Sequence, residues 1–378
     1  MLFPKKPLFL QLNILSMRIV HIVESFGGGV YSYFKDLSSF LSQFDEIETT
    51  IIYSNKRKEV TDEQIKNDFP ENIKMLSVNM ERELRPIADI RATLKLRKIL
   101  KQISPDIVHL HSSKAGVIGR WASTLSGKRK GVYYTPHGYS FLQLNTSSFK
   151  RRLFYLIEKT TQLIFGGTTI ACGDTEYNIA KKIGKSELVR NGIDIDNINK
   201  FFIPKNPSKD KKLTIGIIGR IVFARNPTLF NKIALQFPEH DFIWIGDGDL
   251  KYELTAKNIF ITGWCKENID VFRFLNKIDI YIQTSLWEGL PIAILEAMAF
   301  RKPIIATNVI GNKDIVIPEY NGFLFEKAED LKSILNQLEN SKTREIIGNN
   351  AFNNCREKYN KDENFKKLID IYKSTLIR

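Results

Sequence analysis

Short apolar runs alternate along this chain with longer stretches in which apolar positions recur every third or fourth residue. The first pattern predicts buried strands and the second amphipathic helices, so their alternation predicts parallel α/β sheets. In the first half the spacing predicts strands at Ile19–Glu24, Thr49–Tyr53, Lys74–Val78, Ile107–His111, Gly131–Thr135 and Thr169–Cys172. In the second it predicts Leu213–Gly219, Phe242–Gly246, Ile259–Thr262, Asp279–Gln283, Pro303–Thr307 and Phe323–Phe325. The second half restarts as the first does, with strand, Gly-containing turn and helix. Two facing Rossmann-like domains follow, not tandem short repeats.

Phe201–Lys212, rich in Pro and Lys, is the expected linker. The expected organisation is an extension over 1–16, a first domain over 17–200, the linker over 201–212 and a second domain over 213–355. A C-terminal helix over 356–378 is placed to cross back to the first domain. Phe365, Leu368, Ile369 and Tyr372 stand at helical spacing there, as in a packing helix.

The stretch Trp287–Phe300 carries the most chemistry. It follows the apolar run Asp279–Ser285 and contains Pro291, suited to a first helical turn, before the helix-compatible Ile292–Met298. A strand, a loop holding Glu288 and Gly289, and a helix N-terminus are predicted. Such an N-terminus offers free N–H groups and a positive dipole end to a phosphate. Glu296 lies over one turn into the helix, so one carboxylate can face a polyol and the other a ribose. That pairing suggests a sugar nucleotide.

A chain of 378 residues favours two domains, and 43% hydrophobic residues supply real cores. Three scattered cysteines, Cys172, Cys265 and Cys355, give no disulfide framework or paired metal motif and suit a reducing compartment. The formal charge of +14 calls for anionic partners: phosphorylated substrate, anionic membrane or nucleic acid. Nucleic acid ranks last, because no zinc-finger, RRM-type or homeodomain pattern is visible. No run reaches the roughly 18 apolar residues of a spanning helix. Lys5-Lys6 before Leu8-Phe9-Leu10 imitates a signal peptide, but Gln11 and Asn13 interrupt it and no cleavage site follows. The first clean strand starts at Met17, so residues 1–16 are expected to be dispensable.

Charge also marks two helices. After Pro86, Ala88, Ala92, Leu96, Ile99 and Ile103 form a stripe, with Arg91, Lys95, Arg97, Lys98 and Lys101 largely opposite. Lys150-Arg151-Arg152 leads into apolar Leu153–Ile157. Core-packed helices with a solvated basic face are the commoner explanation, and docking to an anionic membrane is the sharper one.

Several loops at strand ends are candidate sites. Gly27-Gly28-Gly29 follows the first strand, where open α/β sheets bind ligands. The full G-x-G-x-x-G is missing, and the second strand ends at Tyr53-Ser54-Asn55 without an acidic residue, which speaks against a dehydrogenase. Turn and ligand loop are equally open for the triplet. Arg220, after Gly219, and Arg225 are placed to clamp a diphosphate, although arginines at a surface are commonly only solvated. His137 sits past a strand in a Gly-flanked loop, either as a hydrogen-bonded loop residue or as a site residue. His109 and His111 share one strand face, and with no third ligand evident they read as structural or substrate-lining. Asp194-Ile195-Asp196 and Asp247-Gly248-Asp249 are weak metal patterns; a turn explains the second more simply. A metal-dependent transferase stays as a minor alternative.

In combination these motifs resemble family 4 of the retaining glycosyltransferases, which has the GT-B fold. Glu288-x7-Glu296 with Gly289-Leu290-Pro291, Gly219-Arg220, Ile245–Gly248, Asn191–Asp194 and Asn321-Gly322 carry the resemblance, which runs from about Met17 to Asn350. Asp106–Ser113 and Thr135–Phe141 resemble bacterial capsule, O-antigen and exopolysaccharide transferases. The resemblance implies an acceptor-binding first domain, a second domain that binds a nucleotide sugar, UDP-linked by preference, and a cleft between them. It implies that Glu296 binds the ribose, Glu288 the sugar hydroxyls, and Arg220 and Arg225 the diphosphate. Gly28 would approach the diphosphate from the first domain, Gly289 and Leu290 would line the donor, and His137 the reaction centre. Glu288, His137, Arg220 and Arg225 are thus the expected catalytic set. It further implies retention, no metal or other cofactor, and proton transfer to the leaving diphosphate in place of a protein base.

Arg225-Asn226 stands where the family commonly has Lys-Gly, Gly311-Asn312 where Gly-Gly is usual, and Asp314 where Glu is common. The expected activity is transfer of a hexose to a polyprenyl-diphosphate-linked saccharide for surface polysaccharide. It would run on the cytoplasmic side, at an anionic membrane surface, without nucleic acid. The alternatives are a GT-B-like sugar-nucleotide epimerase and a catalytically silent binding subunit of an assembly complex.

Overall fold

The computed structural model describes residues 16–55, 60–81, 83–143, 146–204, 212–265 and 267–376. The expected extension, apart from Ser16, and most of the expected linker lie outside the described residues.

The first sheet contains β1 (Met17–Val23), β2 (Ile47–Tyr53), β3 (Lys74–Ser77), β4 (Ile107–His111), β5 (Val132–Thr135), β6 (Thr168–Ala171) and β7 (Ser186–Leu188). Its spatial order is β3-β2-β1-β4-β5-β6-β7. The second contains β8 (Thr214–Ile218), β9 (Asp241–Ile245), β10 (Ile259–Ile261), β11 (Ile280–Gln283), β12 (Ile304–Thr307) and β13 (Gly322–Phe325). Its order is β10-β9-β8-β11-β12-β13. Neighbouring strands pair in parallel throughout both sheets. Helices cover both faces, which is why the central strands are apolar almost without interruption. The predicted strands are all present, with ends shifted by a residue or two, and β7 is an additional edge strand.

Strand order reverses between β1 and β4 in the first sheet and between β8 and β11 in the second. Crevices for ligands form at the carboxyl ends of strands at such reversals. Gly27–Gly29 follow β1, Arg220 follows β8 and Glu288 follows β11. Chain topology alone therefore brings these candidates to the two switch points.

Two packing relations cross between the halves of the chain. Ile193, Ile195 and Ile198 precede the linker, yet they pack in the second core with Leu295, Met298 and Tyr359. At the other end, the backbones of Ile193 and Tyr359 to Lys361 are hydrogen-bonded, Ile193 N–H to Tyr359 O at 2.9 Å and Lys361 N–H to Ile193 O at 3.2 Å. From there the helix Lys361–Leu376 buries Phe365, Leu368, Ile369 and Tyr372 in the first sheet's core.

The two basic helices behave differently. Pro86–Ile103 buries Ala92, Thr93, Leu96 and Leu100, close to the expected stripe. Ser148–Phe165 reverses the core-packed expectation: Glu158, Thr161 and Gln162 are buried, while Phe149, Leu153, Leu156, Leu163 and Ile164 are exposed. The inversion has a physical cause. Buried Arg120 bonds to Gln162 Oε1 at 2.8 Å, and Glu158 accepts from Tyr134 at 2.7 Å, so the polar face is the one with partners inside. Among the described residues no helix is long and apolar enough to cross a membrane.

Candidate active site between the two sheets

The loop after β11 is built around one carboxylate. Oε1 of Glu288 accepts from Ser285 Oγ at 2.6 Å, from Gln283 Nε2 at 2.9 Å and from the Arg225 guanidinium. Gln283 is itself oriented, since its Oε1 accepts from Tyr281 Oη at 2.6 Å. Arg225 arrives from the loop after β8, whose backbone is tied across by Leu286 N–H to Ala224 O and Thr284 Oγ1 to Arg225 O. Gly219 makes room for it: a Cβ there would lie 3.2 Å from Arg225 Nε. Glu288 and Arg225 keep only 15% and 21% of their side-chain surface, so their charges interact with little screening. Arg220 is exposed on the same strand end.

Pro291 is the N-cap of the helix Ile292–Ala299, one position earlier than its expected place in the first turn. Leu290 is buried in the second core, so its side chain is spent on packing and its backbone is what remains for a ligand. Glu296 is half-buried on this helix, and burial, with Asp36 of the first domain adding to it, lifts its carboxyl to about 7. Asp36 belongs to the helix Gly28–Leu41. Gly28 opens that helix and is exposed.

The facing loop after β5 carries His137. His137 and Gly138 both have left-handed backbones, φ 51° and 93°. The loop is held from below by Glu176, which accepts Gly138 N–H at 3.0 Å and Cys172 N–H at 2.8 Å. The second domain touches it directly. A Cβ on Gly289 would sit 3.3 Å from Gly138 N and 3.4 Å from His137 C, so side-chain-free backbone on both sides permits this approach. A second bridge joins the domains. Asp314 accepts Thr175 N–H at 2.9 Å and Thr175 Oγ1 at 2.5 Å.

The remaining candidates fall into place around this cleft. Asp247 accepts Gly248 N–H at 2.7 Å and lies 3.4 Å from Lys251, while Asp194 caps the helix Ile195–Asn199 and pairs with Lys361. Both triplets thus have turn and cap work to do. His109 and His111 share a face as expected, but a third histidine does stand beside them. Parallel register sets His21 opposite His109, and one ring nitrogen from each of His21, His109 and His111 lies within 4.8 Å of the other two. The pairing of β1 with β4 is non-local, so spacing within one strand carries no sign of it. Gln283, Ser285, Thr175 and Glu176 were also unpredicted. Gln283 and Ser285 had left a trace as polar residues two apart at the end of an apolar strand.

Comparison with known proteins agrees with this geometry. Residues 27–197 match the Glycosyltransferase Family 4 model, and residues 199–354 match that of Glycosyl transferases group 1. An Escherichia coli protein named UDP-Gal:alpha-D-GlcNAc-diphosphoundecaprenol alpha-1,3-galactosyltransferase is 31% identical over 331 residues, covering 78% of this chain and 81% of that one. The Staphylococcus aureus capsular polysaccharide biosynthesis glycosyltransferase CapM is 26% identical over 329 residues, covering 79% and 84%. Among solved structures, Anabaena HepE in complex with UDP and glucose superposes with a TM-score of 0.73 at 17% identity, over 95% of this chain and 100% of that one. The two parallel sheets, the cleft and these relationships together place the chain among the family 4 glycosyltransferases of GT-B fold.

Proposed function

We propose that this glycosyltransferase moves a hexose, with retention, from a UDP-sugar to a polyprenyl-diphosphate-linked saccharide during surface polysaccharide assembly. The observation that carries this reading is the Arg225–Glu288 pair at one switch point, set against the His137–Gly138 loop of the other sheet. In this reading Arg220 and Arg225 hold the diphosphate and stabilise it as it leaves. Glu288 holds sugar hydroxyls, Glu296 the ribose, and Gly28 approaches the diphosphate from the first domain. The leaving diphosphate takes the acceptor's proton on the face where the new bond forms. Neither a metal nor a protein base is required.

The acceptor side rests on a cavity of about 1090 Å³ in the first domain. Glu24, His137 and Gly138 line it, and so do Leu84, Ile90, Trp121, Leu153 and Ile157. Polar groups near the reaction centre suit a saccharide, and the apolar remainder suits a prenyl chain. Leu153 also belongs to the exposed apolar face of Ser148–Phe165, where exposed Lys150, Arg152 and Lys159 supply positive charge. An amphipathic face of that kind supports peripheral docking on an anionic membrane at the cytoplasmic side. The E. coli relative's name, with its diphosphoundecaprenol acceptor and UDP-Gal donor, supports the same substrate classes.

The test is a screen of UDP-, GDP- and dTDP-sugars with polyprenyl-diphosphate saccharides, followed by mass analysis and the anomeric configuration of the product. Sugar isomerisation without acceptor would instead establish an epimerase. Nucleotide binding with no turnover of any donor would establish a silent subunit, and an inverted anomer would remove the claim of retention.

A further inference from the structure

The chain has five histidines; four lie together at the reaction centre, and three of these are joined in a row. His21 Nδ1 lies 3.0 Å from His111 Nε2, and His111 Nδ1 lies 3.0 Å from His137 Nε2. The rings of His111 and His137 are nearly parallel, 21° apart. His109 stands beside His111 but is engaged elsewhere, by Tyr372 Oη at 2.5 Å and Thr135 Oγ1 at 2.9 Å. His21, His109 and His111 have no solvent exposure. Desolvation keeps all four neutral, with His21 held at about 3 and His137 at about 4.

A neutral imidazole has one N–H and one bare nitrogen, so fixing one ring in the row fixes the next. Only two polarities exist. If protons run outward from His21, Nδ1–H of His21 donates to His111, and Nδ1–H of His111 donates to His137 Nε2. If they run inward, His21 is left with an N–H at Nε2. That atom is buried and has no partner among the described residues. A buried N–H without an acceptor is rarer and costlier than a bare acceptor nitrogen. The outward polarity is therefore favoured.

We infer that His21 and His111 act as positioning residues that hold His137 as its Nδ1–H tautomer, so that it meets the cleft as a hydrogen-bond donor and not as a base. Nε2 of His137 is already occupied by the His111 donor. Nδ1 has no partner among the described residues, and His137 lines the acceptor cavity. Its N–H is thus available to an oxygen of substrate. This role rests on the transferase reading above, but the tautomer itself is measurable without any substrate.

The experiment is long-range ¹H–¹⁵N correlation NMR on the full chain labelled with ¹⁵N-histidine, assigned by single His→Gln variants. The expected result is a protonated Nδ1 and a bare Nε2 on His137. A protonated Nε2, or an imidazolium, overturns the inference. So does one equivalent of zinc in the purified protein, since metal on His21, His109 and His111 would replace the row of hydrogen bonds. Once a donor and acceptor are in hand, His111→Phe should lower kcat at least tenfold with donor KM within twofold, and randomise the His137 tautomer. His111→Asn keeps an N–H near the Nδ1 position and should restore part of kcat. An unchanged kcat and tautomer in His111→Phe also overturn it. If NMR gives the expected tautomer and no donor is turned over, the transferase reading fails and the tautomer stands.

Discussion

Glu288 and Arg225 are bonded to each other, although the family resemblance gives them different parts of the donor to hold. The guanidinium that would grip the diphosphate is held beside the carboxylate that would grip the sugar. Their coupling makes an asymmetric prediction. Arg225→Ala should cost both nucleotide affinity and rate, roughly 10²-fold in turnover, because leaving-group charge loses its partner. Glu288→Gln keeps the shape and an acceptor for Ser285 and Gln283, and should lower turnover far more than UDP affinity. Calorimetry and initial rates separate these outcomes. Equal losses of affinity in both variants would sink the division of labour.

Glu296 predicts a pH dependence. Its carboxyl is raised from 4.5 to about 7, so the folded protein holds an extra proton between those values. The stability this contributes is complete below the unfolded value and is lost as pH rises through about 7. Nucleotide binding runs the other way, because ribose hydroxyls donate to the ionised form. UDP should bind about tenfold more weakly at pH 6 than at pH 8, as expected for a group ionising near the middle of that window. Binding near pH 7 should release about half a proton from Glu296, read by calorimetry in buffers of different ionisation enthalpy. Glu296→Gln should abolish the Glu296 share of both effects, and the same profile in that variant would reassign them to the nucleotide.

Glu176 supports the His137 loop from beneath. Glu176→Ala leaves the N–H groups of Gly138 and Cys172 without their acceptor, at about 1–3 kcal/mol for each group that stays buried. A lower melting temperature and a lower kcat are expected together. Loss of stability with fully retained turnover would show that the loop's position does not matter to transfer.

The exposed apolar face of Ser148–Phe165 predicts binding to anionic membranes. Leu156→Asp with Leu163→Asp should abolish co-flotation with anionic vesicles while leaving UDP affinity unaltered. Raised salt should weaken the wild-type interaction. Equal flotation of the double variant would refute this face as the docking surface.

Asp194 and Asp247 have structural partners, so chelation is expected to leave transfer unaffected. Rates measured with and without EDTA check this. Strong inhibition, reversed by a divalent ion, would revive a metal role for Asp247 and Asp249.

Much of the fold was legible because parallel strands buried on both faces leave unbroken apolar runs. The loop–helix unit around Glu288 and Glu296 was legible for a related reason, being local in sequence. What escaped is set by contacts between distant segments. β7 is three residues long, with Leu188 its one apolar residue, and lies at an edge, so it has no run to read. The partnership of His21 with His111 depends on strand register. The outward apolar face of Ser148–Phe165 depends on Arg120 and Tyr134 claiming its polar side, and its periodicity looks the same whichever face turns inward.

The last helix has a consequence for how the protein is made. Tyr372 bonds to His109 across 263 residues, and Phe365 and Leu368 complete the same core. At about 5–20 residues per second, the ribosome delivers Tyr372 roughly 13–53 s after His109. During that interval the first sheet is synthesised in full but lacks a wall, and the second core is itself waiting for Phe352, Cys355 and Tyr359. The first sheet's core is therefore completed only once Tyr372 has been made, long after its strands.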